Sequence, residues 1–173
     1  PERRILLNTT IIPERPCEFE DVYFKDEISL DNAGRNSARS RREKEGVLIA
    51  QRYRDRLTLA DFISPSPNSG ICYAQGMARE DGTPPYKSAF RKPLVGRKRR
   101  NFLSNKSDKA HPFVVDTSSV EDMHIAVTDD SLMRGHTTAH LYMTLKEAGA
   151  KAIDFYIAWP PTIFDCYYGT DFK

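Results

Sequence analysis

The segment Asp129–Thr138 reads DDSLMRGHTT and gathers the side chains best suited to chemistry. Two adjacent carboxylates, Asp129 and Asp130, precede Arg134, Gly135, Thr137 and Thr138 by a few positions. A glycine lets the backbone turn sharply. Successive amide N–H groups at a helix start can wrap an anion, and the helix dipole favours it there. Threonine hydroxyls add donors. The carboxylates repel a phosphate, so they suit the hydroxyls of a sugar or a divalent cation that travels with it. Taken alone, the segment describes a sugar-phosphate site with a metal nearby. The plainer alternative is a capped helix, because Asp and Thr at a helix start commonly do only that. Neither GxGxxG after a strand nor GxxxxGK[ST] occurs, so dinucleotide and P-loop readings have no support.

Two cationic runs are the other candidates for phosphate contact: Arg39, Arg41, Arg42 and Lys44, and Arg91, Lys92 and Arg97–Arg100. The alternative for both is solvated surface. Cys17, Cys72 and Cys166 are odd in number and form no CxxC pair, which argues against a disulfide framework or a zinc site. A reducing, cytoplasmic setting is the simplest expectation. Cys72 reads as a small core residue. His111, before Pro112, reads as a surface loop residue, His124 and His140 have no ligand-like partner by spacing, and Trp159 reads as core or interface.

The elements that must position these residues are most legible in the last fifty positions. His124–Thr128 reads as a short apolar strand, followed by the polar turn Asp129–Thr138. Ala139–Ala148 reads as a helix with Leu141, Tyr142, Leu145 and Ala148 on one face, and Gly149 stands where a C-cap belongs. Ala152–Trp159 returns as a strand. That βαβ unit implies a parallel sheet. Upstream, Glu18–Phe24 reads as an edge strand and Ser37–Tyr53 as a helix whose apolar part is Val47–Ala50, with Gly46 interrupting it at some cost. Leu59–Ser64 reads as a buried strand, SPSPNSG (64–70) as a loop, Ile71–Glu80 as a second helix and Tyr86–Phe90 as a further strand. Residues 92–112 show no periodicity, and a stretch of that length is usually functional or mobile. Two strand–loop–helix passages predict a doubly wound, mostly parallel α/β fold with ligands at the carboxyl ends of the strands.

The 173 residues suffice for one domain with a core, and 39% apolar with 29% charged residues suits a globular chain rather than a disordered one. No apolar run approaches the ~18 residues of a membrane span, and no leader pattern opens the chain. The first residue is Pro1, as in a sequence cut from a longer one.

At this point the residues match a known pattern. TDDSLMRGHTT resembles the phosphoribosyl pyrophosphate motif of type I phosphoribosyltransferases, and most of all the VDDSIVRGTTS form of the glutamine phosphoribosylpyrophosphate amidotransferase family. KEAGAKAIDFYIAWPPTIFDCYYGTDF follows as REAGAKEVHVRISSPPIRYPCFYGID does in that family. CEFEDVYF resembles CIFEYVYF, SPSPNSG resembles PVPDSG, and RKPLVGR resembles KNRYVGR. The five blocks keep the family's order across nearly the whole chain. The resemblance implies a single type I phosphoribosyltransferase domain over residues 1–173, without the N-terminal glutaminase domain. It implies transfer from phosphoribosyl pyrophosphate to ammonia, giving phosphoribosylamine at the first step of purine synthesis. By the same resemblance, Asp129 and Asp130 hold the ribose hydroxyls and Mg2+, with Ser69 joining them at the metal. Ser131, Arg134, Gly135, His136, Thr137 and Thr138 cradle the 5-phosphate. Pro67, Asn68, Ser69 and Gly70 bind pyrophosphate. Arg91 and Arg97 lie in a closing loop. The implied partners are a glutaminase domain or chain and further copies of the protein, with no membrane and no nucleic acid.

Departures from the family pattern are local. His136 replaces a Thr, Asn68 an acid, Arg91 a Lys, and Pro93-Leu94 an Arg-Tyr pair. Phe164-Asp165 and Trp159 also depart from it. Cys17 and Cys166 match two of the four ligands of the iron–sulfur cluster found in some members, and the other two fall beyond Lys173, so the set is incomplete. The competing expectation is a non-catalytic domain of the same fold that senses phosphoribosyl pyrophosphate. The altered positions and the run Arg97–Arg100 favour that rival, and the acidic pair with Ser69 favours the enzyme.

Overall fold

The computed structural model describes residues 17–31, 33–91 and 114–161. In chain order these form helix α1 (Ala38–Arg52), the single turn α2 (Arg54–Leu57), strand β1 (Phe62–Pro65) and helix α3 (Ile71–Met77). There follow β2 (Phe90–Arg91), β3 (Val114–Val115), β4 (His124–Asp129), helix α4 (His136–Glu147) and β5 (Ala152–Ile157). Strands β1, β4 and β5 build a parallel sheet in the order β1-β4-β5, while β2 and β3 pair antiparallel.

The sheet is covered on both faces, which is why its strands read as apolar runs. Ile125 and Val127 of β4, with Phe62 of β1, pack against Leu141, Leu145 and Ala148 of α4. The alternate residues Ala126, Ile63 and Tyr156 pack on the opposite face against Ala50, Leu57, Ala74 and Met77. Period-two alternation thus sends successive side chains to two different helical layers. The doubly wound α/β expectation holds.

Helix α1 starts where capping chemistry says it should: Ser37 has extended backbone and its side chain accepts from Ser40 N at 3.1 Å. Gly46 is a packing requirement rather than an interruption. A Cβ there would overlap the Tyr73 carbonyl oxygen of α3, and a Cβ on Gly76 would overlap the Glu43 carbonyl of α1. Reciprocal glycines let the two helices touch backbone to backbone. At the other end of the chain, Gly149 closes α4 with a φ of 87°, a value that disfavours any other residue.

Three local expectations change. Glu18–Phe24 is no edge strand; Glu20–Phe24 is a π-helical turn. Its polar side chains have partners that a strand would not provide. Asp21 is buried and paired with Lys25 at 2.8 Å and with Arg41, while Arg42 donates to the carbonyls of Asp21 and Lys25 at 2.9 and 2.8 Å. The first cationic run is therefore spent on contacts within the chain, ion pairs for Arg39 and Arg41 and hydrogen bonds for Arg42 and Lys44. Arg39 is engaged by Glu43 and Glu27, and Lys44 by Asn36. Tyr142 does not share the buried face of α4. It is exposed, and the core-facing residues are Leu141, Leu145 and Ala148. The expected strand over Tyr86–Phe90 reduces to a bridge from Tyr86 to Ile63 and the short β2.

Toward the amino end of the sheet, Arg56 grips Asp154 with two bonds of 2.8 and 2.9 Å, and His124 Nε2 lies 2.9 Å from the same carboxylate. His124 thus gains a partner that spacing did not reveal. No helix among the described residues is long and apolar enough to cross a membrane.

Replacing Gly46 by Ala raises helix propensity yet should lower the melting temperature, because backbone contact between α1 and α3 is lost. The expected cost is about 1–3 kcal/mol in chemical denaturation, the range for overpacking in a tight core. A neutral or stabilising result would show that the helices can separate at little cost.

Candidate active site

The carboxyl ends of β1, β4 and β5 converge, and the loops leaving them carry the residues singled out in the sequence. Gly70 decides how close they come. It ends the loop after β1, and a Cβ there would overlap the Thr128 carbonyl and crowd Ser66 N. Ser66 N donates to that same carbonyl at 2.8 Å, which fastens the loop to β4. One consequence is a 2.6 Å hydrogen bond from Ser69 Oγ to Asp129 Oδ1. Asn68 holds a φ of 75°, tolerated by Asn more than by most residues, and so turns the loop back toward the sheet. The end of β5 completes the wall: Ala158 N donates to the Asp129 carbonyl at 3.1 Å and Trp159 N to the Asp130 carbonyl at 2.8 Å. The Trp159 ring sits edge-on against Phe19 at 5.0 Å, tying β5 to the π-helical turn.

Asp129 and Asp130 are 4% and 6% exposed, so two like charges share a dry site. Burial pushes both carboxyls above the usual range. For Asp130 the neighbouring Asp129 charge adds to burial and takes it up to about 6. Bonds from Ser69 and from Asp130 N temper Asp129. Ser131 Oγ, at 2.9 Å, and the more distant Arg42 temper Asp130.

The capped-helix alternative does not describe this loop. The residue preceding α4 is Gly135, in the left-handed region with a φ of 71°, and no side chain caps the helix. Neither acid serves the helix start. The first intrahelical bond in this turn is from Ala139 N to the Gly135 carbonyl, at 2.8 Å. The amides of His136, Thr137 and Thr138 precede it and are the ones an anion takes up at a helix start.

Most of the expected site residues come together. Ser69, Gly70, Asp129, Asp130 and Ser131 form one cluster, with Pro67 and Asn68 on the loop above it. Arg134, Gly135 and His136 line an open groove with His140 and Met143, and Thr138 faces an apolar groove beside Leu132, Tyr142 and Phe155. Thr137 is exposed. Arg91 is exposed at the end of β2. Arg97, Pro93, Leu94 and Cys166 lie outside the described residues, as does the run Arg97–Arg100. Cys17 is partly buried and Cys72 is buried, and burial pushes the Cys72 thiol up to about 11. Two participants were not legible beforehand: Ser66, whose hydroxyl lies 3.4 Å from that of Ser69, and Arg42, which reads in sequence as one more surface cation.

No group of three or more His, Cys, Asp or Glu side chains among the described residues could hold a metal alone. The acidic pair and Ser69 nevertheless offer only oxygen donors, and two buried carboxylates call for a counter-charge. That set fits a Mg2+-like ion bound by one or two carboxylates and completed by substrate oxygens.

No protein-family model matches the chain. Curated proteins do match it: an amidophosphoribosyltransferase of Archaeoglobus fulgidus is 32% identical over 163 residues, 91% of this chain and 34% of the relative. The chain is a phosphoribosyltransferase domain similar to that of amidophosphoribosyltransferases. A chloroplastic amidophosphoribosyltransferase of Glycine max is 34% identical over 166 residues, covering 91% of this chain and 27% of the relative. The amidophosphoribosyltransferase of Methanocaldococcus jannaschii is 31% identical over 160 residues, 90% of this chain and 32% of the relative. The chain thus spans about a third of the length of the curated relatives it matches. Among solved structures, the glutamine phosphoribosylpyrophosphate amidotransferase of B. subtilis, complexed with ADP and GMP, superposes with a TM-score of 0.73. It is 29% identical, and the match covers 89% of this chain and 33% of that one. A structure described as the allosteric regulatory enzyme of purine biosynthesis gives the same TM-score and identity over 32% of its length.

The electrostatics of the acidic pair have a measurable consequence. With its carboxyl at about 6 against an ordinary 3.8, ionised Asp130 costs the folded domain stability above pH 6. Asp130→Asn should therefore stabilise the ligand-free domain by roughly 3 kcal/mol at pH 7.5, a gain that shrinks as pH falls through 6 and vanishes near 4. Denaturation at several pH values reads this, and a loss of stability at neutral pH would contradict it.

Proposed function

We propose that this domain transfers the phosphoribosyl group of phosphoribosyl pyrophosphate to ammonia. The nitrogen lone pair attacks C1, the bond from C1 to the pyrophosphate oxygen breaks, and the nitrogen sheds a proton as phosphoribosylamine forms. The observation that carries this reading is the 2.6 Å bond from Ser69 to Asp129, which places the loop after β1 against the acidic pair after β4. The residues this reading assigns to pyrophosphate and to ribose are thereby held close together.

In this reading the amides of the Pro67–Gly70 loop hold the pyrophosphate, and the open amides of the α4 start hold the 5-phosphate beside Ser131 and Arg134. Asp129 and Asp130 accept from the ribose hydroxyls and so orient C1. Asp129 and Asp130, with Ser69, would hold a divalent ion, which would supply counter-charge for the departing pyrophosphate. Positive charge develops at C1 as the bond breaks, as at other anomeric centres, and the buried carboxylates face it without needing to reorganise. Arg91, at the end of β2, is assigned to the leaving group. His136 replaces a hydroxyl with an imidazole at the phosphate end, and it donates from a ring nitrogen there.

The same reading places the reaction at the opening of purine synthesis in the cytoplasm, with ammonia supplied by a glutaminase domain or partner chain and with the protein as a homo-oligomer. No role is assigned to Cys17 and Cys166 as cluster ligands.

Calorimetric titration with phosphoribosyl pyrophosphate, with and without Mg2+, tests the site, and an ammonia-dependent assay follows. Magnesium-dependent binding is expected, and its absence in a folded sample would end the proposal. Ser69→Ala should weaken that binding roughly ten- to a hundredfold, the effect of losing a hydrogen bond to a charged group. His136→Thr should lower affinity if the imidazole serves the 5-phosphate, and a gain in affinity would mean that the histidine only crowds the loop.

A further inference from the structure

The face of β4 that turns away from α4 ends in polar groups that the mechanism above leaves unused. Thr128 alternates with Val127 and so shares with Ala126 the side packed on α1 and α3. It is fully buried, and its Oγ1 has no hydrogen-bond partner among the described residues. Tyr73, in the first turn of α3, is also fully buried, and its Oη likewise has none. Helical side chains lean toward the amino end of their own helix. The amino end of α3 lies at the carboxyl ends of the strands, beside Gly70 and Thr128, so this lean carries the Tyr73 ring toward that end of the sheet. Burial acts most on the phenol, then the charges of Glu45 and Arg42 on α1 and of Asp130, so Asp130 lies within its electrostatic reach. Buried hydroxyls without a bond are costly, and folded proteins meet them with a protein group or an ordered water, which typically makes about three bonds.

We propose that Tyr73 is a positioning residue for the acidic pair: one internal water, held by the Tyr73 and Thr128 hydroxyls, donates to the Asp130 carboxylate and fixes its orientation toward the substrate. The water stands on the buried hydroxyls alone, and its effect on substrate rests on the phosphoribosyl reading. The placement explains why a tyrosine occupies a position packed on all sides where Phe would fill the same volume. It also gives Asp130 support from below, from α3 and β4, while Ser131 holds it from the side.

Crystal structures of the wild-type chain and of Tyr73→Phe at high resolution test the first part. The wild type should show one ordered water within hydrogen-bond distance of Tyr73 Oη and the Asp130 carboxylate, and Tyr73→Phe should lose it with a change in the carboxylate torsion. A wild type without that water, or an unchanged Asp130 torsion in the variant, overturns the proposal whether or not the chain binds phosphoribosyl pyrophosphate. Titration with phosphoribosyl pyrophosphate and Mg2+ tests the second part. Affinity should fall about tenfold in Tyr73→Phe, the worth of one hydrogen bond to a charged group, while the melting temperature stays level or rises. A merely structural tyrosine would lower the melting temperature and leave affinity alone. Thr128→Val should reproduce the loss of affinity and serves if Tyr73→Phe folds poorly. If the wild type binds no phosphoribosyl pyrophosphate, the functional reading fails and the crystallographic comparison still decides the role of Tyr73.

Discussion

The contact between Gly70 and the Thr128 carbonyl governs the rest of the molecule. It is an approach only glycine permits, made where the loop after β1 crosses the end of β4. Everything proposed for the site follows from that closeness. The Ser66 amide can reach the Thr128 carbonyl, and Ser69 can reach Asp129. A larger residue would lift the loop, and two half-sites on neighbouring strands would no longer face one ligand. The reciprocal glycines Gly46 and Gly76 extend the same logic one layer outward, since they seat α3 against α1.

Against that scaffold the acidic pair is an expense. Two adjacent carboxylates at the dry end of a parallel sheet repel each other and lose hydration. The protein offsets this in part, with hydroxyls from Ser69 and Ser131, the Asp130 amide and the field of Arg42. A site that remains under-compensated without its ligand is suited to bind a cation and a polyhydroxylated substrate, because ligand binding supplies what the fold withholds. Strain of this kind tends to sit where function needs it.

The amino-terminal part of the described chain contributes support rather than chemistry. Asp21, Lys25, Arg41 and Arg42 lock the π-helical turn onto α1, and Phe19 carries that turn to Trp159 at the end of β5. Trp159 departs from the small residue of the family pattern, and its edge-on contact with Phe19 accounts for the change. The indole fills the space between the sheet end and the turn, and its backbone amide still serves the Asp130 carbonyl.

The sequence by itself determined the βαβ unit around β4, α4 and β5, the long helix α1 and the loop that carries Asp129 and Asp130. Each is a local matter: apolar period, a serine cap at Ser37, glycines at Gly135 and Gly149, and side chains whose chemistry does not depend on distant partners. Motif order added the pairing of the two loops. Only the tertiary structure decided the remainder. Glu18–Phe24 has the alternation of a strand, yet ion pairs from α1, some twenty residues on, wind it into a helical turn. Arg42 reads as a surface cation because nothing near it in sequence marks it as buried, and Tyr142 reads as core because helical spacing cannot say how wide the buried stripe is. Gly46 looks like a flaw until α3 arrives. In each case the deciding contact joins residues far apart in the chain, and local pattern holds no record of it.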